Sequence, residues 1–132
     1  MITKKGSEAN EQEIFVLYLE KQNIPVIPNL NENIWSGIIR WVVKPESVAL
    51  GIIARIEQKM KKMGKRKGVP DLFIPYPSGR YHGMYIEMKY GKNKATNEQM
   101  EWLQRLSKLG YYCVICYSAK QAITAFEKYK KG

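Results

Sequence analysis

The chain has 132 residues, with 22 Lys and Arg against 12 Asp and Glu, for a formal charge of +10. This length suits a single domain over residues 1–132; with no apolar run long enough to span a membrane and no signal-peptide pattern, a cytoplasmic protein with no membrane partner is expected. The basic surplus, densest over 59–68 and in the closing KYKKG, favours nucleic acid as partner, because clustered Lys and Arg displace counterions condensed on a polyanion.

In chain order, residues 1–6 read as a frayed start. SEANEQEIFVLYLEKQ follows as a helix with Ser7 as N-cap and acids in its first turn. Glu8, Gln12, Phe15 and Leu19 share one face of it, so two polar residues head an otherwise apolar stripe. NIPVIPNL reads as a short strand confined to a sheet edge by its prolines. Residues 30–44, with Trp35 and Trp41 after an asparagine-rich loop, are the least readable part. From Pro45, placed at N1, an amphipathic helix runs to Gly64 with Val48, Ile52, Ile56, Met60 and Met63 as its apolar stripe. PDLFIPY and GMYIEMKY are strands joined by the turn PSGR. TNEQMEWLQRLSKLG is a helix with a Thr96–Gln99 capping box and Trp102 in the core, stopped by Gly110. YYCVICY is the last strand, and SAKQAITAFEKYK the last helix, with Ser118 and Gln121 repeating the capping pattern. Alternation sends Cys113 and Cys116 to opposite faces, which suits neither a disulfide nor a shared metal, and the single His82 has no partners for a zinc site. The order of elements predicts an α/β domain with a mixed sheet and a helical insert over about 30–66.

One cluster carries chemistry. With the hairpin turn centred on Ser78–Gly79, antiparallel partners have residue numbers that sum to about 157 or 158. Asp71 then faces Ile86 or Glu87. Tyr85, Glu87 and Lys89 alternate onto one face, and Met84, Ile86 and Met88 onto the other. Two neighbouring carboxylates repel unless a cation stands between them. Lys89 could be that cation, in an ordinary salt bridge. A divalent ion is the alternative, and oxygen ligands favour Mg²⁺ or Mn²⁺ over zinc. With a lysine beside it, such an ion suits phosphodiester hydrolysis.

Asp71 followed by Glu87-Met88-Lys89, with Pro70 before the aspartate, resembles the PD-(D/E)XK nuclease signature. GVPDLFIP, YHGMYIEMK, NEQMEWLQRLSKLGYYCVICYS and the opening Glu8-x-x-x-Gln12 resemble, more narrowly, the VRR-NUC family. The resemblance implies a restriction-endonuclease-like core, a mixed four-stranded sheet flanked by helices in the order αβββαβ, with the helical insert after the first strand. It implies a Mg²⁺- or Mn²⁺-dependent DNA endonuclease, structure-selective on branched DNA such as Holliday junctions and acting as a homodimer in repair or recombination in a bacterial or phage-infected cell. A less selective nuclease and a silent DNA-binding module are the alternatives.

By the same resemblance, Asp71, Glu87 and the Met88 carbonyl are metal ligands, with Glu8 completing or supporting the site. Lys89 is the catalytic lysine, and Gln99 stands near it. The residues themselves also allow Gln99 a pure capping role and Glu8 a helix-dipole role. Gln12, Asn29 and His82 are second-layer residues, although LNEN after Asn29 departs from the family's glycine. Lys62, Lys65, Arg66, Lys67, Lys92 and Lys94, before and after the catalytic strands, are the expected DNA contacts.

Overall fold

The structure, a computed structural model, describes residues 6–30 and 32–132. The frayed start expected over 1–6 thus falls, apart from Gly6, outside the described residues, as does Asn31 of the asparagine-rich loop. In order come α1 (Glu8–Lys21), β1 (Ile27–Pro28), α2 (Glu32–Val42), α3 (Glu46–Lys62), β2 (Leu72–Ile74), β3 (Met84–Met88), α4 (Asn97–Lys108), β4 (Tyr112–Cys116) and α5 (Ala119–Lys130). They form two compact units. One joins the chain up to Asn29 with Gly68–Gly132, and the other is Leu30–Lys67, the span of the expected helical insert.

The first unit holds a four-stranded sheet in the order β1-β2-β3-β4. Its first two pairings are antiparallel and its third parallel. This is the mixed sheet of a PD-(D/E)XK-like α/β core. Pro28 closes β1 after two residues, as an edge strand containing proline should end. The β3–β4 pair is parallel, so the chain must return to the same end of the sheet, and α4 makes that crossover.

The caps follow the sequence closely. Ser7 Oγ accepts the Asn10 N–H at 3.1 Å, with Glu8 and Glu11 in the first turn of α1. Thr96 and Gln99 form the full capping box of α4. At α5 Ser118 Oγ accepts from Gln121 as expected, but Gln121 Oε1 accepts the Tyr117 N–H at 2.9 Å, one residue before the cap. The β2–β3 turn is centred on Gly79–Arg80, one residue later than expected. Ser78 and Tyr81 exchange both backbone hydrogen bonds, and Gly79 has φ +56. The hydroxyl of Ser78 donates to the Tyr129 carbonyl, and that of Tyr129 to the Tyr76 carbonyl, so the end of α5 pins the turn.

Leu72, Ile74, Met84, Ile86 and Met88 supply one sheet face to a fully buried core, closed by Phe15 and Leu19 of α1 and by Ala122, Phe126 and Tyr129 of α5. Burying each large side chain stabilises by about 1.5–3 kcal/mol. α4 packs on β4 through Leu103 and Leu106 on the other face. Trp102, expected in the core, is half-buried, with the Arg105 guanidinium 4.6 Å from its ring centre.

In the second unit two expectations change. Pro45 is the N-cap of α3 rather than its N1 residue. The buried face of α3 carries Ala49 and Ile53, while Val48, Ile52 and Met63 of the expected stripe are exposed. Ile56 and Met60 of that stripe are half-buried, so the true stripe runs through Ala49, Ile53, Ile56 and Met60, about 50° around the helix from the expected one. Gly64, with φ +109, ends the helix as expected. Among the described residues no helix is long and apolar enough to cross a membrane.

Candidate active site

The β2–β3 ladder pairs Leu72 with Ile86, Phe73 with Tyr85 and Ile74 with Met84. Continuing that register brings Asp71 opposite Glu87 and Pro70 opposite Met88. Alternation does the rest: Met84, Ile86 and Met88 enter the core, and Asp71, Glu87 and Lys89 share the other face. The parallel ladder to β4 uses the backbone of Tyr85, Glu87 and Lys89, ending with the Lys89 N–H on the Cys116 carbonyl at 2.8 Å. The backbone groups of Met88 therefore turn toward β2. Pro70 has no N–H, so the ladder offers the Met88 carbonyl no donor. The Met88 N–H finds the Asp71 carboxylate instead, at 2.7 Å from Oδ2. The proline of the motif thus leaves a backbone carbonyl open beside the acids, a role that sequence spacing alone did not expose.

Glu87 is 1% exposed and Lys89 8%, a deep placement for charged side chains. Lys89 Nζ lies 3.5 Å from Glu87 Oε1, but the other Glu87 oxygen is buried and unpartnered as a carboxylate. Burial first, then the neighbouring Asp71, pushes the Glu87 carboxyl up to about 8 against the pull of Lys89. Asp71 is raised by burial, against the opposing pull of the Met88 N–H, Lys89 and a hydrogen bond with Glu87. These observations agree if Glu87 holds a proton and shares it with Asp71 when no other cation is near. Glu8, at the start of α1, is raised by burial and by Asp71 and lowered by Lys89. All three acids thus sense one field, and one lysine does not neutralise it.

A divalent cation fits this donor set. It would satisfy the orphaned oxygen of Glu87, with Asp71 and the Met88 carbonyl as further oxygen donors. Among the described residues no three acidic, histidine or cysteine side chains form a ready-made metal cage. Mg²⁺ can be held by one or two carboxylates, with waters or substrate phosphates completing the shell. Glu8 stands apart, within electrostatic reach of Asp71 and Lys89 but without a tight three-acid group. Gln12 follows one helical turn after Glu8 and is half-buried. Glu11, on another face, has its Oε2 3.4 Å from the Ala119 N–H at the start of α5.

The remaining expected residues separate. Asn29 donates its backbone N–H to the Asp71 carbonyl at 2.7 Å and its side-chain Nδ2 to the Val69 carbonyl at 3.0 Å. Gln99 is half-buried, and its Oε1 accepts the Thr96 N–H at 2.8 Å, so that oxygen is engaged in the capping box. His82 does not join the site. It sits five residues before Glu87 at the far end of β3, about 16 Å along the strand, with its N–H on the Gly110 carbonyl and its ring edge-on to Tyr111. The YHG motif adjoins β3 in sequence, but strand direction carries His82 away from the acids. Gly68 has φ +90, and a Cβ there would stand 2.8 Å from the Glu98 backbone, so the segment entering Asp71 grazes the start of α4.

Lys92 and Lys94 are exposed in the loop after β3. In the second unit Lys65, Arg66 and Lys67, with Lys61, which the sequence reading passed over, line a recess of about 230 Å³ beyond α3; Lys62 is exposed at the helix end. Arg66 Nη1 donates to the carbonyls of Lys61 and Lys65 at 2.8 and 2.9 Å, so part of its guanidinium caps α3.

Comparison with known proteins follows the same line. The model of a family described as the VRR-NUC domain matches residues 41–120, more than half of the chain. A solved structure described as a VRR_NUC domain protein is similar with a TM-score of 0.69 and 26% identity, over 98% of this chain and 92% of that one. No curated protein matches. The matched span includes Asp71, Glu87, Met88, Lys89 and Gln99, whereas Glu8, Gln12 and Asn29 precede it.

Proposed function

This chain belongs to the VRR-NUC family of nuclease domains, and on that premise we propose that it is a Mg²⁺- or Mn²⁺-dependent DNA endonuclease selective for branched DNA such as Holliday junctions. The observation that carries the reading is the buried Glu87 carboxyl, one oxygen of which has no donor when the group is ionised, held beside Asp71 and Lys89 in a chain of charge +10. A basic protein that buries one carboxylate against a second, half-buried one incurs repulsion and desolvation. A bound cation and a phosphodiester substrate account for that arrangement.

Asp71, Glu87 and the Met88 carbonyl would hold the metal, with Glu8 supporting through its charge. The metal supplies Lewis-acid stabilisation of charge on the phosphate and a more acidic water. Lys89 is braced by Glu87 and reaches the same face, where its ammonium can orient the attacking water or offset charge on a phosphate oxygen. Lys92 and Lys94, and the basic group Lys62, Lys65, Arg66 and Lys67, are the proposed phosphate contacts, which position DNA without reading its sequence. Gln99 keeps its amide nitrogen for the site while its oxygen caps α4. A homodimer is part of the proposal, supported by the exposed Ile38, Trp41 and Val42 on α2.

The test is cleavage of labelled four-way junction, fork and linear duplex in Mg²⁺, Mn²⁺ or EDTA. Junction cutting that needs metal is expected, and Lys89→Ala should lower it by roughly 10²–10³-fold or more while sparing DNA binding. Equal cutting of all substrates would leave a less selective nuclease. Binding without cutting in any metal would leave a silent DNA-binding module.

A further inference from the structure

We infer that Asn29 is a positioning residue that holds the Asp71 segment away from β3 and so keeps the metal end of the sheet open. Its two hydrogen bonds go to the carbonyls on either side of Pro70, the backbone N–H to Asp71 and the side-chain Nδ2 to Val69. The first is the natural continuation of the β1–β2 register, which pairs Ile27 with Phe73 and Pro28 with Leu72. The second is not a ladder bond. It is a side chain spanning 40 residues of sequence to grip the turn that enters β2.

The consequence follows from the backbone on the other side. Met88 faces β2 opposite Pro70, and its N–H has two conceivable acceptors: the Pro70 carbonyl, which would lengthen the β2–β3 ladder by one pair, or the Asp71 carboxylate. The structure has the second, at 2.7 Å. Pulling Val69 and Asp71 toward β1 keeps the Pro70 carbonyl from Met88, and the carboxylate takes its place. Loss of the Nδ2 bond frees the segment to zip onto β3, which would turn Asp71 away from Glu87. Asn29 acts on the site through Asp71 without touching substrate.

The effect on metal rests on the nuclease reading, whereas the effect on Met88 does not, and the experiment keeps the two apart. Asn29→Asp preserves size and the backbone N–H but removes the Nδ2 donor; Asn29→Ala removes the side chain without adding charge. Hydrogen exchange of the Met88 amide is followed by NMR, and Mn²⁺ affinity by electron paramagnetic resonance, in wild type and both variants. The Met88 amide should exchange more slowly in both variants, because the lengthened β2–β3 ladder holds its N–H on the Pro70 carbonyl, while other β3 amides keep their protection, and the Mn²⁺ dissociation constant should rise by about 10–100-fold, the usual effect of losing a residue that orients a ligand. Unchanged Met88 exchange in both variants overturns the inference, whatever the metal does. Wild type that binds no Mn²⁺ would count against the nuclease reading, with Met88 exchange still deciding the role of Asn29.

Discussion

The fold without metal should weaken as pH rises, because Glu87 keeps a proton that the unfolded chain gives up. The folded carboxyl titrates near 8 and the ordinary one near 4.5. Between those values the folded state binds more protons than the unfolded state, so stability falls with pH. The stabilisation is fully present below pH 4.5, is lost as pH rises through 8, and changes no further above it. One whole proton sets a limiting slope of about 1.4 kcal/mol per pH unit, hence a ceiling on the order of 5 kcal/mol over the window. Asp71 and Glu8, raised by burial as well, add slope of the same sign. Since a domain holds about 5–15 kcal/mol in all, the effect is measurable. Urea unfolding in EDTA at pH 5, 6, 7, 8 and 9 should give a falling midpoint that levels beyond 8. Glu87→Gln, which cannot titrate, should flatten most of that slope, and saturating Mg²⁺ should oppose it by replacing the proton. A metal-free stability that is flat or rising from pH 5 to 8 would refute the account of a desolvated, like-charged pair.

Two further outcomes test the surroundings. Gly68→Ala forces a Cβ to within 2.8 Å of the Glu98 backbone at φ +90; it should destabilise by about 1–3 kcal/mol in urea, and a neutral result would mean that α4 does not fix the entry to Asp71. Burial pushes the Cys113 and Cys116 thiols up to about 11, so a disulfide reagent at pH 8 should label the folded protein slowly and both thiols rapidly once urea unfolds it. Rapid labelling of folded Cys116 would contradict its burial.

Much of the first unit was legible because its signals are local and redundant. The β2–β3 register followed to within one residue from a proline–glycine turn and strict alternation, which placed Asp71 opposite Ile86 or Glu87; the ladder selects Glu87, and the turn itself is centred one residue later. The caps at Ser7, Thr96 and Ser118 were legible because their chemistry spans four residues. The face of α3 was not. Val48, Ile52 and Ile56 repeat every four residues, but Ala49, Ile53 and Ile56 fit a helical stripe nearly as well, and only packing selects between them. Gln99 was ambiguous for another reason: one side chain serves both readings, and its oxygen is committed to the cap. His82 stands apart from the acids because a motif records neighbours in sequence, whereas a strand separates five residues by about 16 Å.

The site occupies a place where the sheet fails to complete itself. A β2–β3 ladder extended through residues 70 and 88 would satisfy one more pair of backbone groups and stabilise the fold. Pro70 forbids half of that pair, Asn29 draws the other half away, and the Asp71 side chain takes the N–H that remains. The same few residues bury Glu87 with an oxygen unpartnered. Each departure alone has an ordinary structural explanation. Together they leave a carbonyl and two carboxylates beside a lysine at one end of the sheet, on a chain that is otherwise strongly basic. Local choices that conflict with stability and converge on a single point are what selection for binding leaves behind, and oxygen donors of this kind call for a hard cation. The convergence, more than any one residue of the motif, is the physical reason to read the end of β3 as a nuclease centre.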